Sequence, residues 1–140
     1  MPHAVSKTML KTIYNNLWLL ILSFIITVYA NASTVYVMEA TGKGVPANDL
    51  ETVTDLVINA VTQTGGNTTV AKQKDAEIVL RPKLLKLGGA FIFTLSREKN
   101  GVADFSSSLR AEQIEEMDKI SLRLTKAVLE GQDASETAQI

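Results

Sequence analysis

Two dipeptides, Gly88-Gly89 and Asn100-Gly101, bracket the run "AFIFTLSR" from Ala90 to Arg97, and they constrain the fold of this chain more than any other feature. The run alternates, which is the pattern of a strand with one buried face: Phe91, Phe93 and Leu95 point one way, Ile92, Thr94 and Ser96 the other. Two-residue Gly-Gly or Asn-Gly turns join antiparallel strands with the twist that strands prefer. The spacing therefore predicts three consecutive antiparallel strands, Glu77 to Leu87, Ala90 to Arg97, and Val102 to Leu109. Pro82 sits inside the first and has no N–H to give a ladder, so an edge position or a bulge is expected there.

Upstream, Thr34 to Met38 and Thr68 to Ala71 read as short strands, with a helix between them. Asn48 is the expected N-cap, with Asp49 in the first turn and Glu51 three residues on. Val53, Val57, Ala60 and Val61 recur at helical spacing, and Gly65-Gly66-Asn67 ends the helix. A second helix is expected near Ala111 to Leu129, with Ile114, Met117, Ile120, Leu124 and Val128 in one stripe and Gly131 as its stop. Leu122 and Leu129 fall on a different side of it, where they read as exposed leucines or as a ridge that meets a partner. The order is β-α-β-β-β-β-α. Two amphipathic helices and a mixed, mostly antiparallel sheet of about five strands make an α+β fold, the helices packed on one sheet face.

The amino terminus reads differently. Lys7 and Lys11 precede an apolar run from Leu17 to Val28, and small residues follow at Ala30 and Ala32. That order is a secretory signal peptide over residues 1–32, with Ala30-Asn31-Ala32 as the cleavage site and Ser33 as the first mature residue. The alternative is an uncleaved anchor to the inner membrane, but the run is shorter than the ~20 apolar residues a spanning helix needs. The expected location is the periplasm or the exterior, with one domain over residues 33–131 and a polar tail over 132–140.

Composition then excludes several functions. Lys7 and Lys11 are the only charged side chains before Ser33, so losing residues 1–32 takes the formal net charge from −1 to −3. A mildly acidic domain has no electrostatic case for nucleic acid. The chain has no Cys, and its one histidine is His3. Without histidine the mature part has no Ser-His-Asp triad for Ser106, Ser107 or Ser108, and zinc lacks its usual ligands. A phosphate cradle puts its glycines between a strand and a helix N-terminus, whereas Gly88-Gly89 lies between two strands. Gly42-Lys43-Gly44 is closer to that setting but lacks the length and ending of a P-loop, and reads as a surface loop. Glu112, Glu115, Glu116 and Asp118 cluster where a helix begins and complement its dipole. A hydrolase or small-ligand binder built on these carboxylates is the alternative function, and it requires a cleft. Asn67-Thr68-Thr69 matches a glycosylation sequon by chance. No cofactor and no metal is expected.

The stretch from Asp75 to Gly101, "DAEIVLRPKLLKLGGAFIFTLSREKNG", resembles bacterial envelope proteins of the TolB amino-terminal and CsgG-like kind. Asp75-Ala76-Glu77, Lys86-Leu87-Gly88-Gly89 and Asn100-Gly101 carry the likeness, which extends over most of residues 34–130. The resemblance implies a non-enzymatic α+β domain of the bacterial envelope that binds other envelope proteins, and it supplies no catalytic residue. The chain departs from it in having no Cys to acylate, and the function of the propeller that follows such a domain in TolB-like proteins does not carry over to these residues. The membrane is expected to meet this chain only through the signal segment, and partner binding through a strand edge or the Leu122/Leu129 side of the last helix.

Overall fold

The computed structural model describes residues 33–135; the expected signal segment, with Ala30 and Ala32, and the last five residues lie outside them. Six strands form one mixed sheet: β1 (Ser33–Val37), β2 (Thr41–Lys43), β3 (Asn67–Thr69), β4 (Ile78–Leu87), β5 (Ala90–Lys99) and β6 (Val102–Ala111). The helices are α1 (Ala47–Gln63) and α2 (Met117–Glu130), and 3-10 turns occupy Gln73–Asp75 and Ile114–Glu116. The sheet order is β3-β1-β4-β5-β6, with β2 also paired to β4. β1 runs parallel to β3 and β4, β2 parallel to β4, and β4-β5-β6 is the antiparallel meander that the turns predict.

Both helices cover the same face of the sheet. Val35, Leu80, Leu84, Phe93 and Leu95 from the strands pack in one cluster with Val53, Val57 and Val61 of α1 and with Leu124 and Val128 of α2. Removing this apolar surface from water is the main stabilising term. The opposite face is held by polar cross-strand pairs: Thr94 with Ser108 at 2.7 Å, Ser96 with Ser106 at 3.2 Å, and Arg81 with Glu98 at 2.8 Å.

Four expectations are corrected. The Gly42 region is a strand, not a loop, and it adds a sixth strand to the sheet. Asn48 is not the cap: α1 starts at Ala47 after Pro46, and no side chain bonds its first amides. Proline suits that entry because its fixed φ feeds the first turn and its missing N–H has no partner to lose. α2 starts at Met117 instead of near Ala111, because β6 continues to Ala111 and a 3-10 turn follows. Pro82 lies in a central strand, neither at an edge nor at a bulge.

Main-chain groups alternate in direction along a strand, which explains why β4 tolerates that proline. The Leu80 carbonyl accepts from Met38 N–H at 2.9 Å, so even-numbered β4 residues face β1 and β2. Pro82 therefore faces the break between them, after Val37 pairs with Leu80 and before Thr41 pairs with Lys83. At that break Ala40 N–H turns away to the Thr54 hydroxyl at 2.8 Å, tying the connection to α1.

α2 ends in a left-handed glycine, Gly131, with Gly131 N–H bonded to the Val128 carbonyl and Gln132 N–H to the Ala127 carbonyl at 2.8 Å. This is the Schellman pattern that glycine favours. Within α2, the hydroxyls of Ser121 and Thr125 are fully buried and have no hydrogen-bond partner. A buried donor without a partner costs about 1–3 kcal/mol. Ser121→Ala and Thr125→Val are therefore each expected to raise stability by about 1 kcal/mol, read as a higher urea midpoint with an unchanged slope.

Candidate interaction surfaces

The helix layer presents a groove between α1 and α2. One end, of about 240 Å³, is lined by Leu56, Asn59, Gln63, Lys119 and Leu122. A second hollow of about 230 Å³ shares Leu56 and Asp118 with it and extends to Asp49, Ile114, Glu115 and Met117. The floor is apolar and the rim is mostly acidic. Leu122 is 40 % exposed at this groove. Leu129, the other leucine of the expected ridge, is partly buried and packs against the core, so the two do not form one exposed strip.

The second surface is the outer edge of β6, which ends the sheet order and has no strand paired on its far side among the described residues. A bulge between Arg97 and Glu98 interrupts its ladder with β5. At that bulge Arg97, with its side chain 12 % exposed, is a junction that the sequence does not announce. Its guanidinium donates to both Asp104 carboxylate oxygens, at 2.9 and 3.0 Å, and to the Val128 and Leu129 carbonyls at the end of α2. It also lies 5.5 Å from the centre of the Phe105 ring. The hydrogen bond from Arg97 holds the Asp104 carboxyl below its ordinary range.

The chain stays packed past Gly131. Ala134 is fully buried, its N–H donates to the Ser107 hydroxyl at 3.0 Å, and its carbonyl accepts from Arg123 at 2.9 Å. Asp133 accepts from the backbone and hydroxyl of Ser135 and from Ser107, and these bonds, the Ser135 backbone first, lower its pKa. The segment thus docks across β6 and α2. A stretch of small and polar residues carries no periodicity that would reveal this.

The turn residues occupy strand junctions. Leu87 pairs with Ala90 across Gly88-Gly89, where Gly88 alone has positive φ, and Lys99 pairs with Val102 across Asn100-Gly101, where both residues do. These are the two mirror-image turn types that hairpins prefer. Glu112, Glu115, Glu116 and Asp118 are exposed and spread over the connection into α2, with the Glu116 carboxylate accepting from Glu112 N–H. A hollow of about 430 Å³ lies elsewhere, beside Glu39, Glu51 and Asp55. Among the described residues no group of three or more Asp, Glu, His or Cys side chains is placed to hold a metal ion. Nor is any helix among them long and apolar enough to cross a membrane.

No family model and no curated protein matches the chain. Solved structures with a similar arrangement include the LpoB C-terminal domain from Salmonella enterica, at 16 % identity and a TM-score of 0.47, covering 59 % of this chain and 84 % of that one. A lipoprotein from Neisseria meningitidis is similar at 10 % identity and 0.47, over 58 % of this chain and 81 % of its own. A ribosomal subunit interface protein from Coxiella burnetii is similar at 11 % and 0.46, over 68 % and 93 %. All three scores fall below 0.5 and all three identities below 25 %, so function has to be read from this chain's own residues.

Proposed function

We propose that this chain is an exported, non-enzymatic accessory domain of the bacterial envelope that docks another envelope protein in the groove between α1 and α2. The observation that carries the reading is Leu122, a leucine left 40 % exposed beside a hollow whose other apolar lining is Leu56 and Ala60. A groove of this kind accepts an amphipathic segment through a few apolar anchors. With Asp49, Glu115 and Asp118 along it and Lys119 as its one cation, it favours a segment that brings basic residues. Export rests on the Lys7–Lys11, Leu17–Val28 and Ala30-Asn31-Ala32 pattern. Cleavage there leaves Ser33 at the start of β1, with its nitrogen bonded to the Gly66 carbonyl at 3.1 Å. The likeness to TolB amino-terminal and CsgG-like proteins fits the same reading.

The test is an in-cell cross-linking pull-down of the full chain tagged at its C-terminus. One dominant envelope protein is expected, lost on Leu122→Glu while the variant keeps its unfolding midpoint, and the recovered chain is expected to have an intact mass that begins at Ser33. Equal recovery of that protein by Leu122→Glu would remove the groove from the account.

A further inference from the structure

We propose that two copies of this chain associate by pairing their β6 strands antiparallel about Ser107, joining the two sheets edge to edge. This surface is separate from the helix groove and does not depend on it.

β6 is ten residues long and, among the described residues, ends the sheet, a length of edge that proteins usually blunt or cover. Residues 103–111, "ADFSSSLRA", read nearly the same in both directions. Set Ser107 opposite the Ser107 of a second copy in an antiparallel pair. Ala103 then meets Ala111, Asp104 meets Arg110, Phe105 meets Leu109, and Ser106 meets Ser108. Each pair occurs twice, as a two-fold interface requires. Phe105 and Leu109 are both only partly buried against the core on the helix side, so each gains an apolar neighbour. Ser106 and Ser108 share the opposite face, where each already bonds a hydroxyl of β5.

Other registers lack this match. Centring the pair on Ser108 sets Asp104 against Glu112 and Ser107 against Leu109. Centring it on Ser106 sets Phe105 against Ser107. A one-residue slip sets Phe105 against Ser108 or Arg110. Cross-strand partners decide register when competing pairings are this unequal. Arg97 already holds Asp104, and Glu112 holds Arg110 at 2.9 Å, so neither charge is bare where the copies meet.

The backbone is oriented for the pairing. Odd-numbered β4 residues face β5, and carrying the alternation through the two antiparallel registers turns the main-chain groups of Ser106, Ser108 and Arg110 outward. Ser106 and Ser108 of opposite copies would exchange both hydrogen bonds.

The chain contains no Cys, so an introduced thiol is unique. Ser106→Cys and Ser108→Cys forms of the full chain, carrying different tags, are co-expressed and treated in cells with a short bismaleimide. The mixed adduct is expected to exceed either like-with-like adduct several-fold. Ser108→Pro removes an outward-facing N–H and leaves the main-chain ladder to β5, losing on that side the hydroxyl bond to Thr94. In sedimentation the recovered wild-type chain is expected to dimerise with rising concentration, and Ser108→Pro to stay monomeric with an unchanged circular dichroism spectrum. A wild-type chain that stays monomeric, like-with-like adducts equal to the mixed one, or a Ser108→Pro variant that still dimerises would each overturn the proposal.

Discussion

Gly42→Ala is expected to cost the folded chain about 3 kcal/mol, the upper part of the range for overpacking a closed site. β2 lies so close to β4 that a Cβ on Gly42 would collide with the Leu84 carbonyl oxygen, and it would press on a Leu50 methyl at 3.2 Å. The first of these is a backbone atom, which cannot rotate aside. Relief requires β2 to move off β4, exposing Leu84 and Leu50. Gly89→Ala is the control. Its added Cβ meets nothing within 4 Å and its φ lies outside the positive region, so a change within about 0.5 kcal/mol is expected. Urea unfolding of the two variants side by side checks the contrast, and equal midpoints would contradict the packing of β2.

Arg97→Met is the second large effect, with an expected loss of about 2 kcal/mol, because two helix-end carbonyls lose a charged donor. Methionine keeps much of the aliphatic bulk, so the loss reports on the guanidinium. The pH response separates this role from simple packing. Asp104 has its pKa lowered in the folded state, chiefly by the bond from Arg97. The stability that follows is present in full above the unfolded-chain value of ~4 and is withdrawn as pH falls through the lower folded value. Wild-type stability should therefore fall on acidification below that point. Arg97→Met should fall less steeply, since the cause of the Asp104 shift is gone. Asp133 is shifted the same way by Ser135 and Ser107, so part of the acid sensitivity should persist in the variant. Thermal unfolding from neutral pH down to pH ~3 reads both slopes. Parallel slopes would mean that Arg97 is not what lowers the Asp104 pKa.

The meander β4-β5-β6 was legible because its instructions are local. Gly88-Gly89 and Asn100-Gly101 name the turns, and the alternation between them names the face. The helices were legible from their stripes, whereas their starts were not. A helix entry without a side-chain cap, as at Pro46, gives no cap residue to read. β2 was hidden because Thr41-Gly42-Lys43 has no apolar pattern: its glycine is there for close approach to β4, and the partner lies some forty residues away. Pro82 misled for a related reason, since which side its missing N–H faces depends on where β1 stops and β2 begins. Of the candidate surfaces, Leu122 could be read from the helix period, but the groove beside it needs Leu56 from α1. Arg97 looked like one more strand residue. Its partners Asp104, Val128 and Leu129 converge only when the sheet and α2 are assembled.

The groove is tested most directly by a photo-cross-linking side chain placed at position 122 in the full chain and activated in intact cells. A second form with the same side chain at Lys72, an exposed site outside the groove, is the comparison. One discrete adduct with an envelope protein is expected from position 122 and none of that size from position 72. The same adduct from position 72, with none from 122, would place the partner on another face and contradict the groove as the docking site.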